Sequence, residues 1–129
     1  GVFVLAATSN PEARDIQSVS VGEESTIAQG VVDECAAFNV EAQKANKPGD
    51  VGVVVGATLD NPPRLDALNG PVLLPGVGAQ GAGPEQVHGI VSARPSLGFA
   101  NVSRAVLEQG PDVADLRKAV AQVAAEFRD

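Results

Sequence analysis

Pro71-Val72-Leu73-Leu74-Pro75-Gly76-Val77-Gly78-Ala79-Gln80-Gly81-Ala82-Gly83-Pro84 reads as a strand, a glycine-rich loop and the start of a helix. Pro71 opens and Pro75 closes an apolar run the size of one buried strand. Glycines at 76, 78, 81 and 83 follow, and Pro84-Glu85-Gln86-Val87 places proline where a first helical turn tolerates it. Glycine allows positive φ and close approach of backbone to a ligand. The N–H groups of such a loop and of the helix start after it form a ready anion site. A phosphate-holding loop is the functional reading, with the amide of Gln80 as a side-chain donor. A flexible surface turn is the plain alternative.

The segments on either side repeat the same grammar. Gly1 to Ala7 is almost wholly apolar, as in a strand buried on both faces of a parallel sheet, and it ends at Thr8-Ser9-Asn10-Pro11. Residues 12–23 read as an irregular connection. Ile27, Val31, Cys35, Phe38, Ala42 and Ala45 then recur at steps of four and three, which predicts one amphipathic helix from Glu24 to Asn46, stopped by Pro48-Gly49-Asp50. Cys35 lies on that stripe and reads as core rather than nucleophile. Val51 to Gly56 is a second β-branched strand, closed by Ala57-Thr58 and a turn through Asp60-Asn61-Pro62-Pro63. A short helix over Arg64 to Leu68 and the turn Asn69-Gly70 lead into the stretch quoted first.

Beyond it, a helix over Pro84 to Ala93 carries the only histidine, His88, which reads as a packing or surface residue. Leu97 to Val102 forms the fourth strand, followed by Ser103-Arg104 and a turn over Ala105 to Gln109. Asp112 caps a last helix whose buried stripe is Val113, Leu116, Val120, Val123 and Phe127. Four β/α units at roughly 30 residues each predict an α/β fold with a parallel sheet. That is half of a (β/α)8 TIM barrel, which needs about 250 residues. An open four-stranded sheet is the alternative. Unpaired apolar edges would be a liability, so either a missing half or a second copy is expected as partner.

The bulk numbers narrow the function classes. The 129 residues fit a single domain, 1–129, with 44% hydrophobic and 19% charged residues. Nine basic and sixteen acidic side chains give a net charge of −7, which argues against nucleic acid or an anionic membrane as partner. Cys35 is the single cysteine, so no internal disulfide can form, and a reducing, cytoplasmic compartment fits. No apolar run approaches the roughly 20 residues that span a bilayer, and no signal-peptide pattern is present. The chain has no Met and starts inside a strand-like run, as a piece of a longer protein or an engineered chain would.

Three strand ends carry matched polar groups: Ser9, Gln80 with its glycine loop, and Ser103-Arg104. Loops after the last two strands of (β/α) barrels often build a phosphate site. Arg104 would supply a planar donor fork for phosphate oxygens; a surface ion pair is its structural alternative.

Thr8-Ser9-Asn10-Pro11, Val54-Val55-Gly56-Ala57-Thr58, Pro75-Gly76-Val77-Gly78-Ala79-Gln80-Gly81 and Val102-Ser103-Arg104 follow one another as in orotidine 5′-phosphate decarboxylase. The chain most resembles strands five to eight, the C-terminal half, of the bacterial type 2 subfamily found in mycobacteria. The resemblance implies a barrel that converts orotidine 5′-monophosphate to UMP and CO2 with no metal or organic cofactor. It implies that Ser9 hydrogen-bonds the pyrimidine and that Gln80 and Arg104 grip the phosphate. Backbone N–H groups near Gly81 and Ser103 would complete the site. Many members of that family have glycine where this chain has Ser103.

The family's acid–base motif, Asp-x-Lys-x-x-Asp with a second lysine, is absent here. The only lysines are Lys44, Lys47 and Lys118, all on or beside helices. The resemblance thus implies no catalytic residue in this chain: a lyase as part of the full enzyme, inactive alone. Two other readings stand beside it. One is a different phosphate-binding barrel, such as a 3-hexulose-6-phosphate synthase relative. The other is a non-catalytic half-barrel that binds phosphate or self-associates.

Overall fold

In the computed structural model, which describes residues 1–22, 25–78 and 80–127, four parallel strands form one sheet in chain order. They are β1 (Val2–Ala7), β4 (Val51–Val55), β5 (Val72–Pro75) and β6 (Gly98–Asn101). A two-residue hairpin, β2 (Ser20–Val21) with β3 (Ser25–Thr26), stands apart from them. The helices are α1 (Arg14–Gln17), α2 (Ile27–Phe38), α3 (Val40–Lys44), α4 (Pro84–Ile90), α5 (Arg104–Leu107) and α6 (Val113–Glu126). Unbroken sequential order with parallel pairing is the connectivity of a barrel wall, in agreement with the half-barrel expectation.

The two faces of the sheet differ sharply. Val53, Val55, Val72 and Leu74 lie beneath the helices and are buried, each worth about 2 kcal/mol of transfer free energy. The other face carries a row in register across all four strands: Leu5 opposite Val54, Val54 opposite Leu73, Leu73 opposite Phe99. Paired residues of parallel strands share a face. Leu5 and Phe99 at the ends of that row are 58% and 50% exposed. The first strand is therefore not buried on both faces, as its apolar composition suggested. Its inward side and its outer edge are both open. A register shift between Leu5 and Ala7 turns both Ala6 and Ala7 into the core.

Several local expectations are corrected, each for an identifiable reason. The single helix over 24–46 is two helices, and Glu24 lies outside the described residues. Asn39 sits between the helices, 1% exposed, and donates to the carbonyls of Val51 and Leu68, both at 2.8 Å. Its oxygen accepts the Val51 N–H at 3.1 Å. This amide staples the helix end to the start of β4. The helix predicted over Arg64 to Leu68 is absent: Gln29 bonds both the N–H and the carbonyl of Arg64, the groups a helix would use. Only a turn closed from Leu68 N–H to Leu65 oxygen remains.

Residues 11–22 and 25–26 are more regular than expected, with a 3-10 turn at Pro11–Ala13, then α1 and the paired strands β2 and β3. The turn expected after Arg104 is a helical one, α5, so Arg104 opens a helix. Helix α4 ends at Ile90, short of the expected Ala93. Asp112 caps α6 as expected, accepting from Ala114 and Asp115 N–H at 2.8 and 3.3 Å. Thr26 caps α2 through the N–H of Gln29.

The apolar stripes shift by one position. Helix α2 buries Ala28, Gln29, Val32 and Cys35, while Phe38 is 76% exposed. Helix α6 buries only Ala119 and leaves Val113 and Val120 exposed.

Candidate functional site

The C-terminal ends of the four strands form one continuous rim. Gly56 N–H donates to Ala7 oxygen at 2.9 Å, and Ala57 N–H to Pro75 oxygen at 2.8 Å, so each strand end is laced to the next. A Cβ built on Gly56 would come within 3.2 Å of Ser9 nitrogen. That close packing puts the exposed Ser9 directly beside the end of β4.

The glycine loop is anchored at its stem and open at its tip. Val77 and Ala82 pair across it and are buried at 5% and 4% exposure. Gly78 N–H donates to Ala82 oxygen, and Gly81 N–H to Gly78 oxygen, both at 2.9 Å. Gly76, Gly78 and Gly81 have φ of 98°, 75° and 94°, the left-handed region that glycine enters without strain. Ala79 lies outside the described residues. The exposed Gln80 folds back so that its Oε1 lies 2.8 Å from where a Cβ of Gly76 would be. Gly83 then leads into α4, and its N–H donates to Gln86 Oε1.

The loop leans on the β6–α5 connection. A Cβ on Gly78 would sit 3.5 Å from the Cβ of Ala105 and 3.6 Å from Val102 Cγ1. Those residues flank Ser103 and Arg104, which brings the loop and the arginine-bearing turn together. Arg104 is exposed and forms no ion pair among the described residues, where the one salt bridge is Lys44–Glu41 at 2.7 Å. Ser103 Oγ donates to Asn101 Oδ1 at 3.1 Å. Asn101 ends β6 opposite Pro75 on the exposed side of the rim. Sequence reading passed over it because a strand-ending asparagine is ordinarily a turn former.

Neighbours in one motif separate by role here. Thr8 N–H donates to Gln17 Oε1 at 2.8 Å, Thr8 Oγ1 to Asn10 Oδ1 at 2.6 Å, and Asn10 Nδ2 to Glu12 Oε2 at 3.1 Å. That last bond holds the Glu12 carboxyl below its ordinary range. Thr8 and Asn10 shape the loop. Ser9, Gln80 and Arg104 spend their side chains on no protein hydrogen bond among the described residues. Gly81 differs from expectation: its N–H is already used inside the loop.

The lysines, the histidine and the cysteine lie elsewhere. Lys44 and Lys47 follow α2 at the opposite end of the sheet, and Lys118 projects from the middle of α6. His88 is half-buried on α4 and engaged by its surroundings. Burial pushes the Cys35 thiol up, with the Glu34 charge adding to the shift. No group of three His, Cys, Asp or Glu placed to hold a metal occurs among the described residues. No helix of those residues is long and apolar enough to cross a membrane. A cavity of about 480 Å³, with Arg14, Gln17 and Arg64 beside Ala13, Leu59 and Pro62 in its walls, opens beside the rim between α1 and the 59–64 segment. Nothing in the sequence pattern signalled it, because it forms between segments 35 or more residues apart.

No family profile matches the chain. Curated relatives do. The chain is 50% identical over 127 residues to an orotidine 5′-phosphate decarboxylase of Corynebacterium glutamicum, covering 98% of this chain and 46% of the relative. It is 54% identical over 127 residues to that of Corynebacterium efficiens, covering 45% of it. A crystal structure assigned to an orotidine 5′-phosphate decarboxylase of Streptomyces avermitilis superposes with a TM-score of 0.84 at 42% identity. That match covers 99% of this chain and 44% of the other. The chain therefore spans a little under half the length of the proteins it matches, as four of eight barrel strands should. Four parallel strands in barrel order, and identity over nearly every residue, make this chain similar to one part of these orotidine 5′-phosphate decarboxylases.

Proposed function

We propose that this half-barrel supplies the phosphate and pyrimidine grip of an orotidine 5′-phosphate decarboxylase, a carbon–carbon lyase of pyrimidine biosynthesis. The observation that carries the reading is the set of three rim side chains, Ser9, Gln80 and Arg104, unspent on protein partners beside a loop at positive φ. Arg104 would hold phosphate oxygens through its guanidinium fork, and Gln80 would swing from over Gly76 to donate to the same group. The backbone N–H of Ser103 would add a donor. That of Gly81 can join only if its bond to Gly78 opens, so loop rearrangement accompanies binding. Ser9 would orient the ring from the neighbouring strand end.

Loss of CO2 leaves the bonding electron pair on the ring carbon, and a proton must reach that carbon. No lysine of this chain stands at the rim, so the proton donor belongs to the other half of the barrel. What this chain contributes is binding energy remote from the reacting bond, which can drive loop closure and lower the barrier at the ring. The isolated chain would bind UMP weakly and would not decarboxylate. The acidic chain and the single, buried Cys35 fit a reducing, cytoplasmic setting for this chemistry.

The test is Arg104→Ala in a complete barrel, formed by joining this chain to the N-terminal half of the C. glutamicum relative. A charge-assisted hydrogen bond is worth about 1.5–3 kcal/mol, so affinity for UMP should fall roughly 10- to 150-fold while uridine binding stays unchanged. Equal losses for both ligands would assign Arg104 a purely structural role.

A further inference from the structure

The cavity of about 480 Å³ beside the rim has a volume in the range that holds a small metabolite. The buried Ala13 and Ala28 line it together with Arg14, Gln17, Asp60 and Arg64. Every wall residue falls within 7–29 or 59–64, so two internal segments packed on each other build it. Ser9, Gln80 and Arg104 do not line it, which separates it from the grip at the strand ends.

Its polar groups are held in place from behind. Gln29, only 8% exposed, accepts the Arg64 N–H at 2.8 Å and donates to the Arg64 carbonyl at 3.2 Å. An amide of the core therefore fixes the backbone from which that guanidinium extends. Gln17 Oε1 accepts the Thr8 N–H at 2.8 Å and Thr8 Oγ1 at 3.3 Å. That orients the amide and leaves its Nε2 without a protein partner among the described residues. Arg14 lies three residues before Gln17 on α1, on the same helical face. Neither guanidinium forms an ion pair among the described residues, where Lys44–Glu41 is the one salt bridge. Carboxylates are in excess in this chain, sixteen acidic side chains against nine basic ones, yet these two arginines face one cavity.

We propose that this cavity binds a hydroxylated phosphate monoester, at a site separate from the rim. A phosphate presents three acceptor oxygens and can engage both guanidinium forks and the Gln17 amide, whereas a carboxylate is satisfied by a single fork. Asp60 in the wall would repel a bare anion and accept from a hydroxyl of the ligand instead. The proposal holds whether or not Ser9, Gln80 and Arg104 grip a nucleotide.

The test uses the complete barrel formed with the N-terminal half of the C. glutamicum relative, carrying Arg104→Ala to weaken the rim. Calorimetric titration with glycerol 3-phosphate is expected to show saturable binding. Arg14 and Arg64 are exposed, so adding Arg14→Ala or Arg64→Ala should leave circular dichroism unchanged and weaken that binding roughly tenfold or more. Asp60→Ala should erase the preference for glycerol 3-phosphate over inorganic phosphate. Absence of binding, binding indifferent to both arginine substitutions, or equally tight binding of glycerate, a hydroxylated carboxylate of similar size, would overturn the proposal. Should an alanine variant not fold, Arg64→Lys keeps the charge without the fork and should give a smaller loss; affinity equal to the parent's would equally overturn it.

Discussion

A Cβ placed on Gly70, just before β5, would run into the carbonyl oxygen of Val51, whereas one on Gly81 in the rim loop would meet nothing within 4 Å. Gly70 has no positive φ; Gly81 does, at 94°. The two ends of the sheet thus use the same residue for opposite reasons. At the N-terminal end glycine makes room for a buried amide, Asn39, whose three hydrogen bonds tie a helix end, a strand and a turn together. At the C-terminal end glycine provides backbone shape, and the space around it stays open. Barrels divide labour in this way, with stability at the N-terminal face and chemistry at the C-terminal face. Polar residues of similar type, Asn39 and Gln80, follow the division: one is 1% exposed and saturated, the other exposed and folded over Gly76.

The contrast breaks most easily at Asn39. Asn39→Ala should cost about 3 kcal/mol, because it strands the N–H and carbonyl of Val51 and the carbonyl of Leu68. A chemical-denaturation loss below about 1 kcal/mol would show that water replaces the staple. Next comes the glycine pair. Gly70→Ala should cost about 2–3 kcal/mol through a backbone clash. Gly81→Ala should cost only about 1 kcal/mol, through φ alone. Equal costs would mean that the rim loop is as crowded as the base.

The smallest effect concerns Cys35, on the buried face of α2 between the two ends. Its thiol is raised by burial first and by Glu34 second, so the folded state holds its proton to higher pH than the unfolded chain does. The stability this adds is fully present below the ordinary thiol range near about 8.5 and is lost as pH rises through the folded value. Cys35→Ala should remove that alkaline component from the pH profile of unfolding. Identical profiles in the two proteins would place Cys35 outside the tightly packed layer.

The strand positions, the glycine loop and the cap at Asp112 were legible because each depends on residues within a few positions of one another. Helix faces were only half legible. The stripe Ile27, Val31, Cys35, Phe38 merges two surfaces, a core face through Ala28, Val32 and Cys35 and an open face through Ile27 and Phe38. Ala28 and Gln29 share the core face with Val32 and Cys35, and neither reads as hydrophobic anchoring in a periodicity count. The same merging occurs in α6, where Ala119 is the buried residue.

By itself the sequence determined four strands in barrel order, an acidic chain with one thiol, and polar groups at three strand ends, since composition and short-range spacing are local properties. Its likeness to orotidine 5′-phosphate decarboxylases over nearly every residue was also readable in the motifs. Only the tertiary structure decided that Asn39 breaks the long helix and that Gln29 unmakes the helix at 64–68. It also separated the loop-shaping Thr8 and Asn10 from the unspent Ser9. Each of these turns on a hydrogen bond between segments distant in the chain or on the competition for one acceptor, and three-dimensional proximity is what resolves such choices.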